Sequence, residues 1–521
     1  MFRGPTVGVA VLRARARALV RHASALPDEV DAVVIGGGSL GASAAYHLQQ
    51  RGIGTALLEA HQLTAGTTWH TAGMLWRLRP SYVDIELHAY TREKCISMEG
   101  DDAIGIPSWT ENGGLFIACN RERLAEYERL AETGKYYGIE SAVLSPADAR
   151  AVHPLLNVDD VFGAIHSPSD GTIDASGVVH AYAKGARALG ARVAEGVAVR
   201  AVETEPYTTA GGASARRVVA VVTADGQRIR TRAVVNACGA WANEVAEMAG
   251  ARLPLRAMKH AYVVTDSLEG MHGGLPNVRD HDLSIYLKAQ GDALALGGYE
   301  VNPEFWHGVG ESDDFAFTLF ELDWETFMQN TEGHIRRCPA VESAGIKSTV
   351  CGPESFTPDH KPLVGPEPAV RGLFHCCGFN SMGMMLGGGI GRELATWIDT
   401  GAPELDLFGF DPARFHPECV ADSAWVTQAT HESYAKTYSI VFPHDEPLAS
   451  RGARTSALHD ALRARGCFHQ ARHGFERPGF FSRDDGADAA PKPYDYYGAY
   501  AEGGWRLAPD HADVAAHTEH R

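Results

Sequence analysis

The sequence predicts a mixed α/β fold: a parallel βαβ unit, a second, mostly antiparallel domain inserted into it, and a short C-terminal segment. Three observations predict it. A β-branched run at residues 31–36 leads into Gly36-x-Gly38-x-x-Gly41 and an Ala-rich stretch with helical spacing. From residue 254 to 299 the pattern changes to alternating strands. Gly-rich strand–loop–helix patterns then return at 351–366 and 373–391.

The elements follow in order. Residues 31–36 suit a buried parallel strand, and 39–51 a helix that Gly52 ends. Residues 55–58 form the second strand, closed by Glu59. Residues 113–118 read as a strand, and 121–135 and 176–189 as helices. Residues 197–203 and 218–235 read as strands, with a hairpin turn at Asp225-Gly226 and a surface loop at 206–215. A buried strand ending at Gly239 returns to a helix at 240–248. Residues 261–265 and 282–288 are strands of the inserted domain. Beyond residue 405 periodicity weakens, and 484–493 reads as a linker.

At 521 residues the chain can bury at least two cores, since one domain takes ~100–200 residues. Its net charge of −18 disfavours a nucleic-acid partner. Residues 1–27 differ from the rest: they hold Arg3, Arg13, Arg15, Arg17 and Arg21 and no acid, which reads as a mitochondrial transit peptide. No apolar run is long enough for a membrane span. The nine cysteines include no C-x-x-C pair, and no cluster has zinc spacing, so no metal centre is expected.

The glycine pattern has a physical purpose. Gly36 permits the tight turn, Gly38 admits a pyrophosphate to the backbone, and Gly41 lets strand and helix pack closely. The helix N-terminus offers free N–H groups to phosphates, and Glu59 can accept ribose hydroxyl bonds. This order of elements points to a dinucleotide without separating NAD from FAD. The segment Thr64-Ala-Gly-Thr-Thr-Trp-His-Thr-Ala-Gly73 separates them: it puts His70 in a small-residue loop that can wrap a ring system. A neutral imidazole there can attack the 8α-methyl position of an oxidised flavin. In Gly378-Phe-Asn-Ser-Met-Gly-Met-Met-Leu-Gly-Gly-Gly-Ile-Gly391, glycines permit close contact and the helix that follows can stabilise negative charge on a reduced flavin.

The segments LTAGTTWHTAGMLW, VVNACGAWA, MKHAYVVT, PNVRDHD, GIKSTVCGPESFTPDHKPLVG and GFNSMGMMLGGG resemble the mitochondrial dimethylglycine/sarcosine dehydrogenase family of FAD amine oxidoreductases, on its sarcosine side. The resemblance runs from about residue 31 to about residue 500. It implies a D-amino-acid-oxidase-like FAD domain over residues 28–403, with a substrate subdomain at roughly 251–350. It implies a short linking domain at 404–465 and the start of a folate-binding, aminomethyltransferase-like region at 466–521. Family members continue with a complete folate-binding half, so a folate site is expected to be absent from this chain.

The resemblance makes His70 the covalent FAD histidine. The expected cofactor set is Gly36, Gly38, Ser39, Leu40, Gly41, Glu59 and Ala60; then Gly66, Thr67, Thr68, Trp69, His70, Thr71, Ala72, Gly73 and Met74; then Val197 and Gly239. Gly378, Phe379, Asn380, Ser381, Met382, Gly383 and Met384 complete it. The implied reaction is FAD-dependent oxidation of sarcosine to glycine and formaldehyde in the mitochondrial matrix, with electrons passed to electron-transfer flavoprotein. His260 and Tyr286 match substrate-side positions and are the catalytic candidates; Arg279 and Lys347 are candidates for the substrate carboxylate. Monomeric sarcosine oxidases place a lysine in the loop matching 378–389, where this chain has none. Dimethylglycine dehydrogenase is the alternative enzyme. A regulatory relative, like the regulatory subunit of pyruvate dehydrogenase phosphatase, is the non-enzyme alternative.

Overall fold

The computed structural model describes residues 26–481, apart from 210, 213, 310–314, 440–446 and 473. The expected transit peptide up to residue 25, the linker at 484–493 and the chain beyond residue 481 lie outside the described residues.

Two sheets organise the molecule. The first has six strands in the order Leu363–Pro366, Leu373–Cys377, Ala233–Asn236, Ala32–Ile35, Thr55–Glu59 and Arg192–Glu195. Neighbours are parallel except for the edge pair Leu363–Pro366 and Leu373–Cys377. The central strands Ala32–Ile35 and Ala233–Asn236 are buried at every position, because helices cover one face and a smaller sheet with helices the other. On one face pack Ser39–Gln50, Tyr82–Glu99, Ala175–Ala188 and Gly383–Thr400. On the other lie the antiparallel strands Val199–Thr208, Ser214–Thr223 and Arg228–Arg230, with Ala242–Met248 and the start of Ser423–Ala435.

The helix expected after the 378–391 run begins inside it, at Gly383. The later glycines therefore serve helix packing. A Cβ at Gly391 would lie 2.1 Å from Ser43 Oγ, and one at Gly389 2.6 Å from Leu87 Cα. Gly391→Val is expected to lower stability by roughly 1–3 kcal/mol through overpacking. Its thermal unfolding midpoint checks this, and an unchanged midpoint would mean the helices part without cost.

The second sheet has eight strands, in the order Ile346–Phe356, Arg256–Thr265, Ala293–Gly298, Ile285–Gln290, Asn277–Asp280, Gly114–Ala118, Gly163–Ser167 and Ala142–Leu144. The last three precede residue 251, so the sheet is wider than the stretch 251–350 and joins two distant excursions of the chain. The join is the parallel pair of Gly114–Ala118 with Asn277–Asp280. Gly114–Ala118 is buried on both faces, so its residues carry no alternation that could announce a partner.

Two local expectations change. The stretch 206–215 is ladder at both ends and not loop throughout: Pro206 faces Arg216 and Tyr207 faces Ala215 in a long hairpin of Val199–Thr208 with Ser214–Thr223. Proline is tolerated there because an outer strand can spare its N–H. The strand expected from Asp282 starts only at Ile285, since Ser284 adopts a left-handed φ of 56°. The Asp225-Gly226 turn forms as expected, with Gly226 at φ 91°. Among the described residues no helix is long and apolar enough to cross a membrane.

Candidate active site

A cavity of about 610 Å³ opens where the first strand meets its helix. Gly36, Gly38, Ser39 and Leu40 line it, with Glu59, Ala60, Gly66, Thr67, Thr68 and Thr71 from the next strand and loop. Val197, Gly239, Phe379, Asn380, Ser381, Gly383 and Met384 complete the expected residues found there. Gly36 has φ 104°, and a Cβ on it would lie 2.6 Å from the Ala237 carbonyl oxygen. Glu59 ties the loop down: Gly37 N donates to its Oε2 at 2.6 Å and His61 N to its Oε1 at 2.8 Å. The helices Ser39–Gln50 and Gly383–Thr400 both start at this cavity. Neither is capped by its own N-cap side chain or has an acid in its first turn, and only Ser39 N among their leading groups is taken by a side chain, Thr68 Oγ1 at 3.2 Å. Their N–H groups and dipoles therefore face the cavity, the condition under which helix ends hold anions. Volume, glycine cradle and helix ends all fit FAD.

Between strand Leu373–Cys377 and helix Gly383–Thr400 the backbone turns through three left-handed residues, Gly378 (φ 67°), Asn380 (φ 51°) and Ser381 (φ 64°). Non-glycine residues hold that conformation only under constraint. Asn380 is buried; it donates to the Gly378 carbonyl at 2.7 Å and accepts from Thr357 N at 2.9 Å. Ser381 donates to Glu354. Asn380, Ser381, Glu354, Thr71 and Met384 line both this cavity and a second one of about 200 Å³.

The second cavity collects His70, Ala72, Gly73, Met74 and Met382, with both catalytic candidates, His260 and Tyr286. His70 thus stands on the far side of the boundary from the phosphate end. Its Nε2 is buried without a hydrogen-bond partner. Burial first, and then His260, lowers its pKa to about 4, so the imidazole is neutral near pH 7. Strand Ile346–Phe356 presses against the ring: a Cβ on Gly352 would lie 2.3 Å from His70 Cε1. Gly352 also sits opposite His260 in the sheet register. The rings of His260 and Tyr286 are 6.5 Å apart. Burial pushes the Tyr286 phenol well above its usual range, so it acts as a neutral donor or acceptor.

Gly41, Trp69 and Gly378 line neither cavity. At Gly41 a Cβ would stand 1.9 Å from the Gly36 carbonyl oxygen, so its role is close packing. A Cβ on Gly378 would lie 2.8 Å from Thr357 Cγ2. Trp69 packs edge-on against His70, with centroids 5.5 Å apart. Lys347 must be set aside as a carboxylate ligand: it is exposed near the outer end of strand Ile346–Phe356, away from both cavities. Arg279 is in the second cavity, with its guanidinium 6.0 Å from the Trp76 ring. Arg79, absent from the sequence reading, approaches the same ring at 4.9 Å, and its Nε is buried without a partner. Burial lowers its pKa, a sign of a cation short of solvent. Tyr262, Tyr299, Glu354, His360 and Tyr438 were also missed. Arg79 lies six residues beyond the Gly-flanked histidine loop, and that spacing was the one available signal.

Comparison with known proteins fits this geometry. The family described as FAD dependent oxidoreductase matches residues 31–397, and its central domain matches residues 400–456. The chain is 54% identical to the mitochondrial sarcosine dehydrogenase of Homo sapiens over 94% of its own length and 52% of that protein. It is 31% identical to the mitochondrial dimethylglycine dehydrogenase of Rattus norvegicus over 89% of its length and 54% of that protein. It therefore spans about half the length of these relatives. Among solved structures, L-proline dehydrogenase from P. horikoshii superposes with a TM-score of 0.64 at 25% identity, over 75% of this chain and 98% of that one. The chain belongs to the FAD-dependent oxidoreductase family, with its D-amino-acid-oxidase-like fold.

Proposed function

We propose that the protein is a mitochondrial sarcosine dehydrogenase: it oxidises the N-methyl group of sarcosine, yields glycine and formaldehyde, and passes electrons to electron-transfer flavoprotein. One observation carries the reading. Arg79 and Arg279 flank Trp76 in a cavity walled by His260 and Tyr286, at the end of a larger cavity fit for FAD. Two guanidiniums suit a carboxylate, and the aromatic and imidazole wall suits a small methylated amine. The 54% identity to a sarcosine dehydrogenase supports the substrate, against 31% for the dimethylglycine enzyme.

Sarcosine is a zwitterion near pH 7, and its ammonium must lose a proton before oxidation. His260 takes that proton, and the amine lone pair is freed. Tyr286 orients the nitrogen or the carboxylate by hydrogen bond, and Arg79 and Arg279 hold the carboxylate. When bound, FAD supplies the acceptor for the hydride that leaves the N-methyl carbon. The resulting iminium adds water and separates into glycine and formaldehyde. His70 is proposed as the covalent anchor of FAD, on the strength of its buried, neutral, unpartnered Nε2.

Anaerobic sarcosine should bleach the flavin faster than dimethylglycine at equal concentration. The reverse order would move the assignment to the dimethylglycine enzyme, and no bleaching by either would end the reading. Arg279→Gln should raise the half-saturating sarcosine concentration roughly 10- to 100-fold, since a charge-assisted hydrogen bond contributes about 1.5–3 kcal/mol.

A further inference from the structure

We propose that Glu300, Tyr434 and His260 form a relay in which Tyr434 fixes the His260 tautomer that leaves Nε2 free to take the substrate's proton. The inference rests on the reading of His260 as the base.

Tyr434 comes from helix Ser423–Ala435, outside the segment 31–397 that matches the oxidoreductase family. Its hydroxyl is 2.9 Å from His260 Nδ1 and donates to Glu300 Oε2 at 2.6 Å. Tyr434 is 0% exposed and Glu300 4%. Tyr299 stacks on His260 with centroids 4.9 Å apart, and Phe356 packs on Tyr434 at 4.7 Å. The ring positions are therefore held from several sides.

A phenol has one hydrogen to give. With that hydrogen on Glu300, the Tyr434 oxygen can only accept from His260, so Nδ1 carries the N–H. Nε2 then bears the lone pair, in a side chain that lines the substrate cavity. The step balances: an ammonium N–H bond breaks, an Nε2–H bond forms, sarcosine becomes a neutral amine and His260 an imidazolium. The Glu300 carboxylate, one hydroxyl away, opposes the new positive charge. Tyr434 and Glu300 line neither cavity and are positioning residues.

The relay needs an ionised Glu300. Burial raises its carboxyl above the usual range, while His260 and the Tyr434 bond pull it back. Protonation of Glu300 lets Tyr434 turn its hydrogen to Nδ1, which places the imidazole hydrogen on Nε2 and removes the base. The other titratable groups facing the relay are His70, Tyr286, Tyr299, Glu354, Cys351 and Lys259, the last already paired with Glu304.

The test follows anaerobic flavin bleaching by sarcosine against pH in the FAD-loaded full chain and in His260→Asn, Tyr434→Phe and Glu300→Gln. His260→Asn should slow bleaching at least ~100-fold, as loss of a general base does. Tyr434→Phe should slow the limiting rate roughly 10-fold or more, with a small change in half-saturating sarcosine. Glu300→Gln keeps an oxygen for Tyr434 but no charge. Its acid limb should move to lower pH, because the charge that opposes an imidazolium is gone. A merely structural role would scale the profile without shifting it. Flavin content and the unfolding midpoint report folding, and if Tyr434→Phe does not fold, Glu300→Gln still carries the test. Wild-type rate and profile in Tyr434→Phe and Glu300→Gln, with His260→Asn slow, would overturn the relay alone. An unimpaired His260→Asn would overturn the base itself.

Discussion

FAD should stay with the acid-precipitated pellet of the wild-type protein, and His70→Ala should release it to the supernatant. The reason is a conflict built into the site. His70 Nε2 is buried with no hydrogen-bond partner, a state that ordinarily costs about 1–3 kcal/mol. A bond from that nitrogen to the flavin removes the conflict. The nitrogen is also chemically ready: burial holds the ring neutral down to about pH 4, so its lone pair is available throughout the physiological range. Gly352 leaves no slack behind the ring, since a single Cβ there would overlap it. Gly352→Ala should therefore lower the fraction of pellet-bound flavin while His70 itself is retained. Wild-type flavin that washes out completely would end the covalent assignment and leave FAD binding untouched.

Arg337→Met should cost about 3–5 kcal/mol of stability, the penalty for stranding a buried charge. Arg337 and Asp280 are both 0% exposed along their side chains, joined at 2.8 Å. Arg337 also donates to the Asn157 carbonyl at 2.5 Å and pairs with Asp160 at 3.0 Å. Asp280 accepts from Leu283 N at 3.0 Å, at the turn before the Tyr286 strand. The loss should appear as a lower denaturant midpoint with an unchanged slope. Asp280→Asn combined with Arg337→Met should recover part of it, since no unpaired charge remains. A single variant within about 1 kcal/mol of wild type would show that water reaches the pair. Arg279 precedes Asp280 on the same strand, so a loosened Asp280 should also raise the half-saturating sarcosine concentration.

The cofactor side of the site was legible because it is local. Gly36 to Glu59 and Thr64 to Gly73 are continuous stretches whose spacing alone dictates turns, strands and close contacts. The substrate side was half legible. His260 and Tyr286 came from resemblance, and both line the second cavity. Arg79, Glu300 and Tyr434 were not foreseen, because they meet only through folding: Glu300 and Tyr434 are 134 positions apart and touch at 2.6 Å. Lys347 failed for the converse reason. Its charge suited a carboxylate, but the outer end of its strand projects into solvent. The sheet's recruitment of Gly114–Ala118 was hidden because a strand buried on both faces has no periodicity that names its neighbour.

The interleaving of the two sheets has a consequence for a chain that reaches its folding compartment N-terminus first. The six-stranded sheet takes strands from 32–59, 192–236 and 363–377, and the eight-stranded sheet takes its strands from the two intervals between them. Neither can be completed from a contiguous length of nascent chain. The first strand and its glycine turn emerge early, yet the wall formed by Phe379, Ser381 and Met384 follows more than 300 residues later. A chain that enters its folding compartment N-terminus first therefore holds unpaired strand edges until that wall arrives. The protein must therefore pass its vulnerable period before it can hold its cofactor, and free FAD can rescue only chains whose helix Gly383–Thr400 is already in place.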